Sequence, residues 1–93
     1  MSKWQQRLNT ATSEREVLSI VREYIATLSE GDIARLPEPC QPRRFESTDD
    51  IKSFALALSR HHCVGDGATA RLVLKMFEIV AGAEIRLMEM AAH

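Results

Sequence analysis

An all-α fold, a small three- to four-helix bundle ending in an αα-hairpin with a long C-terminal helix, follows from three features of the sequence. Apolar residues recur three and four apart in three long segments. Two of those segments open on capping boxes. The period-two alternation of a half-buried strand is missing, as is any repeat of the length used by solenoids.

The elements are justified in order along the chain. Ser2 can cap a short helix through Leu8 that places Trp4 and Leu8 one turn apart, and Asn9 to Thr12 reads as a break, so residues 1–12 are expected to be a flexible or weakly helical arm. Ser13-Glu14-Arg15-Glu16 is a capping box: the serine accepts from a free amide and the glutamate reaches back to the serine's own amide. The helix that starts there gathers Val17, Val21, Tyr24, Ile25 and Leu28, joined by Leu18, on one face and is expected to end between Ser29 and Gly31. Asp32 to Leu36 can add one helical turn. Residues 37–47 form a connector, because Pro37, Pro39 and Pro42 lack amide donors and push the residues before them toward extended backbone. Ser47-Thr48-Asp49-Asp50 repeats the capping box with aspartate for glutamate, followed by Ile51, Phe54, Ala55 and Leu58 at helical spacing to about His62. Val64-Gly65-Asp66-Gly67 supplies a glycine for the helix end and an aspartate cap for the next helix, a turn short enough to reverse the chain. The last helix runs from about Gly67 to Met90, and Gly82 within it lowers helix stability by about 1 kcal/mol relative to alanine, too little to break strong flanks.

The 93 residues are enough for a single domain that buries about two thirds of its unfolded surface without a metal or disulfide. Hydrophobic residues at 45% and charged residues at 27% are ordinary for a globular chain. A net charge of −1 and a pI near 6.3 provide no global field toward nucleic acid or anionic lipid. The first residues lack the apolar core of a signal peptide and no stretch approaches the roughly twenty apolar residues of a membrane span, so a cytoplasmic location without membrane attachment is the expectation. Cys40 and Cys63 do not make a disulfide framework and are expected as thiols.

The last helix carries the main functional lead. Arg71, Lys75, Glu78, Gly82, Arg86, Glu89 and His93 form one polar or small stripe, and nearly everything else on the helix is apolar. Glu84 stands apart from that stripe. At about 100° per residue it points away from it, into the line Val73, Phe77, Val80, Leu87 and Ala91. A polar residue at such a seam position can fix the register of two helices, and a buried carboxylate needs a partner such as Arg43, Arg44, His61, His62 or Tyr24; the commonest alternative is that Glu84 emerges past the edge of the bundle into solvent. A helix apolar over most of its circumference needs neighbours on several sides. Either the helix is the central element of a monomeric bundle or, as the reading preferred here, a second copy or another helical protein covers it through Val73, Phe77, Val80, Glu84, Leu87 and Met88. Leu56 faces away from Ile51, Phe54 and Leu58 and extends the contact surface.

Other constellations point to chemistry less well. His61-His62-Cys63, with Cys40 and His93, holds the atom types for zinc, but adjacent helical residues diverge by about 100° and no paired-ligand spacing accompanies them. Imidazoles in a last turn are explained by the helix dipole. A Cys63 thiolate with a histidine base lacks the required geometry between sequence neighbours. Gly65-Asp66-Gly67 has no P-loop lysine and reads as a cap. Pro39-Cys40-Gln41-Pro42-Arg43-Arg44 satisfies P-x-x-P, a pattern that a stiff connector also produces. No catalytic, cofactor-binding or metal-ligating residue is assigned.

The second reading is a DNA-binding regulator. The last two helices match a helix-turn-helix outline that would set Thr69, Arg71 and Lys75 at the reading end, against which stand the acidic pI and the apolar second helix. In helix order and in Leu74-Lys75-Met76-Phe77-Glu78-Ile79-Val80 the chain faintly resembles small bacterial helical regulators of biofilm and acid stress. That resemblance carries no diagnostic motif and implies only a regulatory role.

Overall fold

A computed structural model describes residues 3–42, 45–61 and 67–92. Five α-helices appear: α1 (Lys3–Thr10), α2 (Glu14–Ala26), α3 (Glu30–Arg35), α4 (Thr48–His61) and α5 (Gly67–Ala91), with one 3₁₀ turn at Glu38–Cys40 and no strand among the described residues. At 1.5 Å per residue the 25 residues of α5 span roughly 37 Å. The molecule's longest extent is 41 Å. The other elements lie along α5, with α4 packed against it most extensively and α1, α2 and α3 covering other parts.

Local chemistry explains the boundaries. Ser13 Oγ accepts from the Glu16 amide at 3.1 Å. Glu16 reaches one residue further back than a standard box, accepting from the Thr12 amide at 2.8 Å and the Thr12 hydroxyl at 3.1 Å. These bonds to the charged form hold the Glu16 carboxyl below the ordinary range, and the Arg7 charge adds to the effect. Helix α2 stops at Ala26, short of the expected end, because the Thr27 amide and hydroxyl both donate to the Tyr24 carbonyl, at 3.0 and 2.6 Å. Ser29 then accepts from the Asp32 amide at 3.1 Å, so α3 begins at Glu30 rather than at Asp32. The carboxylate half of the second box forms: Asp50 Oδ2 accepts from the amides of Glu46 and Ser47, at 2.8 and 3.0 Å, while the Asp50 amide donates to the Ser47 carbonyl at 3.2 Å.

The N-terminal arm is a docked helix. Leu8 and Ala11 are fully covered in the core, and Trp4 meets Tyr24 edge to face, with ring centroids 5.6 Å apart. Arg7 and Glu23 join α1 to α2 at 2.6 Å. Helix α1 rests on α5 at Gly82, where an added Cβ would lie 3.7 Å from Leu8 Cδ1, an ordinary van der Waals contact. Arg86 then donates to the Ala11 carbonyl through Nε (3.2 Å) and Nη2 (2.8 Å), satisfying the α1–α2 corner. The stripe that reads as solvent-facing thus carries the docking site for α1. Helix α5 continues through Gly82 without interruption.

The proline connector is held at both ends. Cys40 is buried, its thiol directed at the Ala57 carbonyl of α4, and burial pushes its pKa up. Arg22 of α2 donates through Nε, at 2.7 Å, and through Nη2 to the Phe45 carbonyl, while Phe45 stacks edge to face on Phe54 at 5.4 Å. This segment is part of the bundle and presents no free polyproline strand at Cys40.

Candidate interaction surface

The core line of α5 runs Thr69, Val73, Met76, Val80, Ala83, with Leu87 and Met90 packed against its end. It is centred about one residue from the expected line and shares with it Val73, Val80 and Leu87. Two assignments change. Val73 and Val80 are 0% exposed in the single chain, so they are core and unavailable to a partner. Thr69, at 5% exposure, faces inward and is removed from the nucleic-acid contact set, while Arg71 and Lys75 remain exposed.

Glu84 is half-buried at the edge of a groove, outside the apolar core. The groove runs between α4 and α5, with a volume of about 360 Å³, and is lined by Lys52 and Leu56 of α4 and by Phe77, Glu84, Ile85 and Met88 of α5. Tyr24 does not bond Glu84. Its hydroxyl is buried without a hydrogen-bond partner, and burial, with the Glu78 charge, raises its pKa. Arg43, Arg44, His62, Cys63 and His93 lie outside the described residues, so the expected pairings and the zinc reading that involve them fall there too.

The decisive feature is what the chain leaves uncovered. Leu56, Leu74, Ile85 and Met88 are 52%, 49%, 57% and 65% exposed. On a helix advancing about 100° per residue, Leu74, Ala81, Ile85 and Met88 fall within about 40° of one line, roughly 130° around the helix from the core line. Ile85 also lines a second groove, against Gln5, Leu8 and Asn9 of α1, and so forms the crest between the α4 and α1 sides. Helix α5 is apolar on two separate faces, of which the bundle uses one. Phe77 sits between the two, partly buried against the core.

Leu56 was legible as a residue out of place, and the structure joins it to Met88 in one groove. Leu74 and Ile85 belong to the same stripe by their spacing with Ala81 and Met88, a signal hidden in the sequence because apolar residues surround them on most of the helix. Among the described residues no three His, Cys, Asp or Glu side chains gather as a metal would require, and no helix is long and apolar enough to cross a membrane. The fold and surface define a small all-helical bundle with an uncovered apolar ridge. Compared with family models, curated proteins and solved structures, the chain matches none.

Proposed function

We propose that this chain is a non-enzymatic helical interaction module that self-associates through the outer ridge of α5 and the adjoining α4–α5 groove. The observation that carries this reading is the contiguity of Leu56, Phe77, Ile85 and Met88, three of them more than half exposed. Burying one such side chain contributes on the order of 1.5–3 kcal/mol. Scattered apolar residues on a surface are normal, whereas a ridge of them flanked by charges is the pattern of an association site. The α4–α5 groove has the volume of a small ligand site, at the lower end of the roughly 300–1,000 Å³ range. Its polar groups, however, are confined to Lys52, Ser59 and Glu84, and Ser59 already donates to the Leu56 carbonyl at 2.8 Å. That favours a protein surface over a small molecule.

Sedimentation equilibrium tests the proposal. A concentration-dependent dimer is expected for the native chain, and Ile85→Lys together with Met88→Lys is expected to yield monomer with unchanged helical circular dichroism. A native chain that is monomeric at tens of micromolar overturns the reading. The DNA-binding alternative is supported only by the exposed Arg71 and Lys75 on a chain of net charge −1. It requires duplex binding that weakens steeply with salt and with Arg71→Ala or Lys75→Ala.

A further inference from the structure

Building on the self-association just proposed, we infer that the second copy docks antiparallel, with the two α5 helices crossing at Ala81 and Glu89 of each chain seated between Arg71 and Lys75 of the other. The stripe has its smallest side chain in the middle: Ala81 is seven residues from Leu74 and seven from Met88, which lets two backbones approach at that point. A two-fold axis through Ala81, perpendicular to both helices, sets residues whose numbers lie equally far on either side of 81 at one level. Leu74 then meets Met88 of the second copy, and Phe77 lies level with its Ile85. Each large exposed side chain of one ridge finds an apolar neighbour on the other, as an isologous interface requires.

Charge selects this orientation. Arg71, Lys75 and Glu89 lie on the same flank of the ridge, about 60–100° from its crest. A two-fold perpendicular to the helices keeps that flank on the same side in both copies. Glu89 of the second copy is level with position 73, between Arg71 and Lys75, and symmetry makes the cluster twice. All three side chains are exposed, and the bond Glu89 makes within its own chain, to Arg86, is a solvent-exposed contact of 3.6 Å. Such a contact leaves the carboxylate able to share a further cation. A parallel pair would instead leave Glu89 fourteen or more residues in level from Arg71 and Lys75 of the second copy and form no such cluster; Glu78 does not discriminate, since it lies level with Glu78 in the parallel pair and with Glu84 in the antiparallel one.

Charge reversal on the full chain, read by sedimentation equilibrium, tests the pairing. Glu89→Lys, and separately Arg71→Glu with Lys75→Glu, are each expected to weaken the dimer roughly tenfold, since two exposed clusters are reversed at once. All three substitutions together are expected to restore native affinity. Lysine, arginine and glutamate have similar helix propensities, so the variants keep α5 intact. A triple variant that associates no better than the single sets overturns the pairing. A nitroxide at Ala92→Cys, in a Cys63→Ser background, supplies the orientation. The antiparallel dimer sets the two labels roughly 33 Å apart along the axis. A parallel one sets them about 10 Å apart. A short distance in a chain that dimerises overturns the orientation and leaves the self-association standing, whereas a monomeric native chain overturns both.

Discussion

Replacing Gly82 with alanine is expected to stabilise this protein, although Gly82 is the point at which α1 rests on α5. Within a helix, glycine is about 0.8–1.0 kcal/mol less favourable than alanine, mainly because the unfolded chain loses more freedom. Whether that gain survives depends on what the new methyl meets. The nearest atom is Leu8 Cδ1 at 3.7 Å, which is ordinary van der Waals contact with the far end of a flexible side chain, so the methyl fits without moving α1. The expected net effect is a stabilisation of about 1 kcal/mol, or roughly 4–8 °C in Tm for a domain of this size. Urea unfolding of both proteins at one fixed concentration checks it, because association would otherwise contribute to the apparent stability. Unchanged slopes with a higher midpoint are the expected result. A lower midpoint for Gly82→Ala would refute the reasoning, since it would mean that α1 presses closer on position 82 than the Leu8 contact allows. Gly82→Leu is the contrasting variant: the larger side chain overfills the contact and should destabilise by about 1–3 kcal/mol.

Further predictions concern polar groups. Tyr24→Phe removes a buried hydroxyl that has no partner while keeping the edge-to-face contact with Trp4, so it should be neutral or stabilising by up to about 1 kcal/mol in urea; a loss above that would reveal a bond to the hydroxyl. The raised Tyr24 pKa means that the folded state holds the phenol proton more tightly than the unfolded state. Stability is therefore full below about pH 10 and falls as pH rises beyond it, a decline that Tyr24→Phe should lessen. Glu16 has the opposite sign. Its lowered pKa contributes stability above the ordinary carboxylate range that is lost as pH falls through the folded-state value, so Glu16→Gln should flatten the acid limb of the unfolding curve. Ser13→Ala should lower stability by about 1 kcal/mol through loss of the α2 cap. Arg22→Met should cost about 1–3 kcal/mol by stripping the Phe45 carbonyl of its donor, and an unchanged midpoint would refute that role.

Much of the fold is legible in the sequence because short-range chemistry sets it. Ser13 with Glu16 and Ser47 with Asp50 mark the starts of α2 and α4, and one half of each box forms: Ser13 Oγ accepts from the Glu16 amide, and Asp50 accepts from the Ser47 amide. The errors fall where tertiary contact overrides a local signal. Residues 1–12 look weak by propensity, yet Leu8 finds Gly82 seventy-four positions away and Arg86 satisfies Ala11, so α1 is anchored on α5. Ile20, absent from the expected face of α2, is buried between Val17 and Tyr24. Arg22 reads as a solvent residue, but its long side chain reaches a carbonyl across the connector.

The displaced reading of Glu84 has a specific cause. The observed core line, Val73-Met76-Val80-Ala83-Leu87, and the expected line, Val73-Phe77-Val80-Glu84-Leu87, share three residues and differ by one position at the others. Where only one face of a helix is apolar, the polar residues decide between two such lines. On α5 they do not, because apolar side chains cover both faces, and the stripe containing Gly82 and Arg86 marks where α1 docks rather than where solvent lies. The ambiguity that misplaced the core is thus the same property that supports a partner. A sequence with one apolar face specifies its own packing and leaves little over, whereas α5 keeps Leu74, Ile85 and Met88 outside a core that Val73, Met76, Val80 and Ala83 already fill. Moving those exposed side chains inward would require turning α5 by roughly 130°, which would expose the present core and break the Arg86–Ala11 and Gly82–Leu8 contacts. A second surface would cover them, and in the proposed antiparallel pairing the near-symmetry of the stripe about Ala81 matches it to another α5.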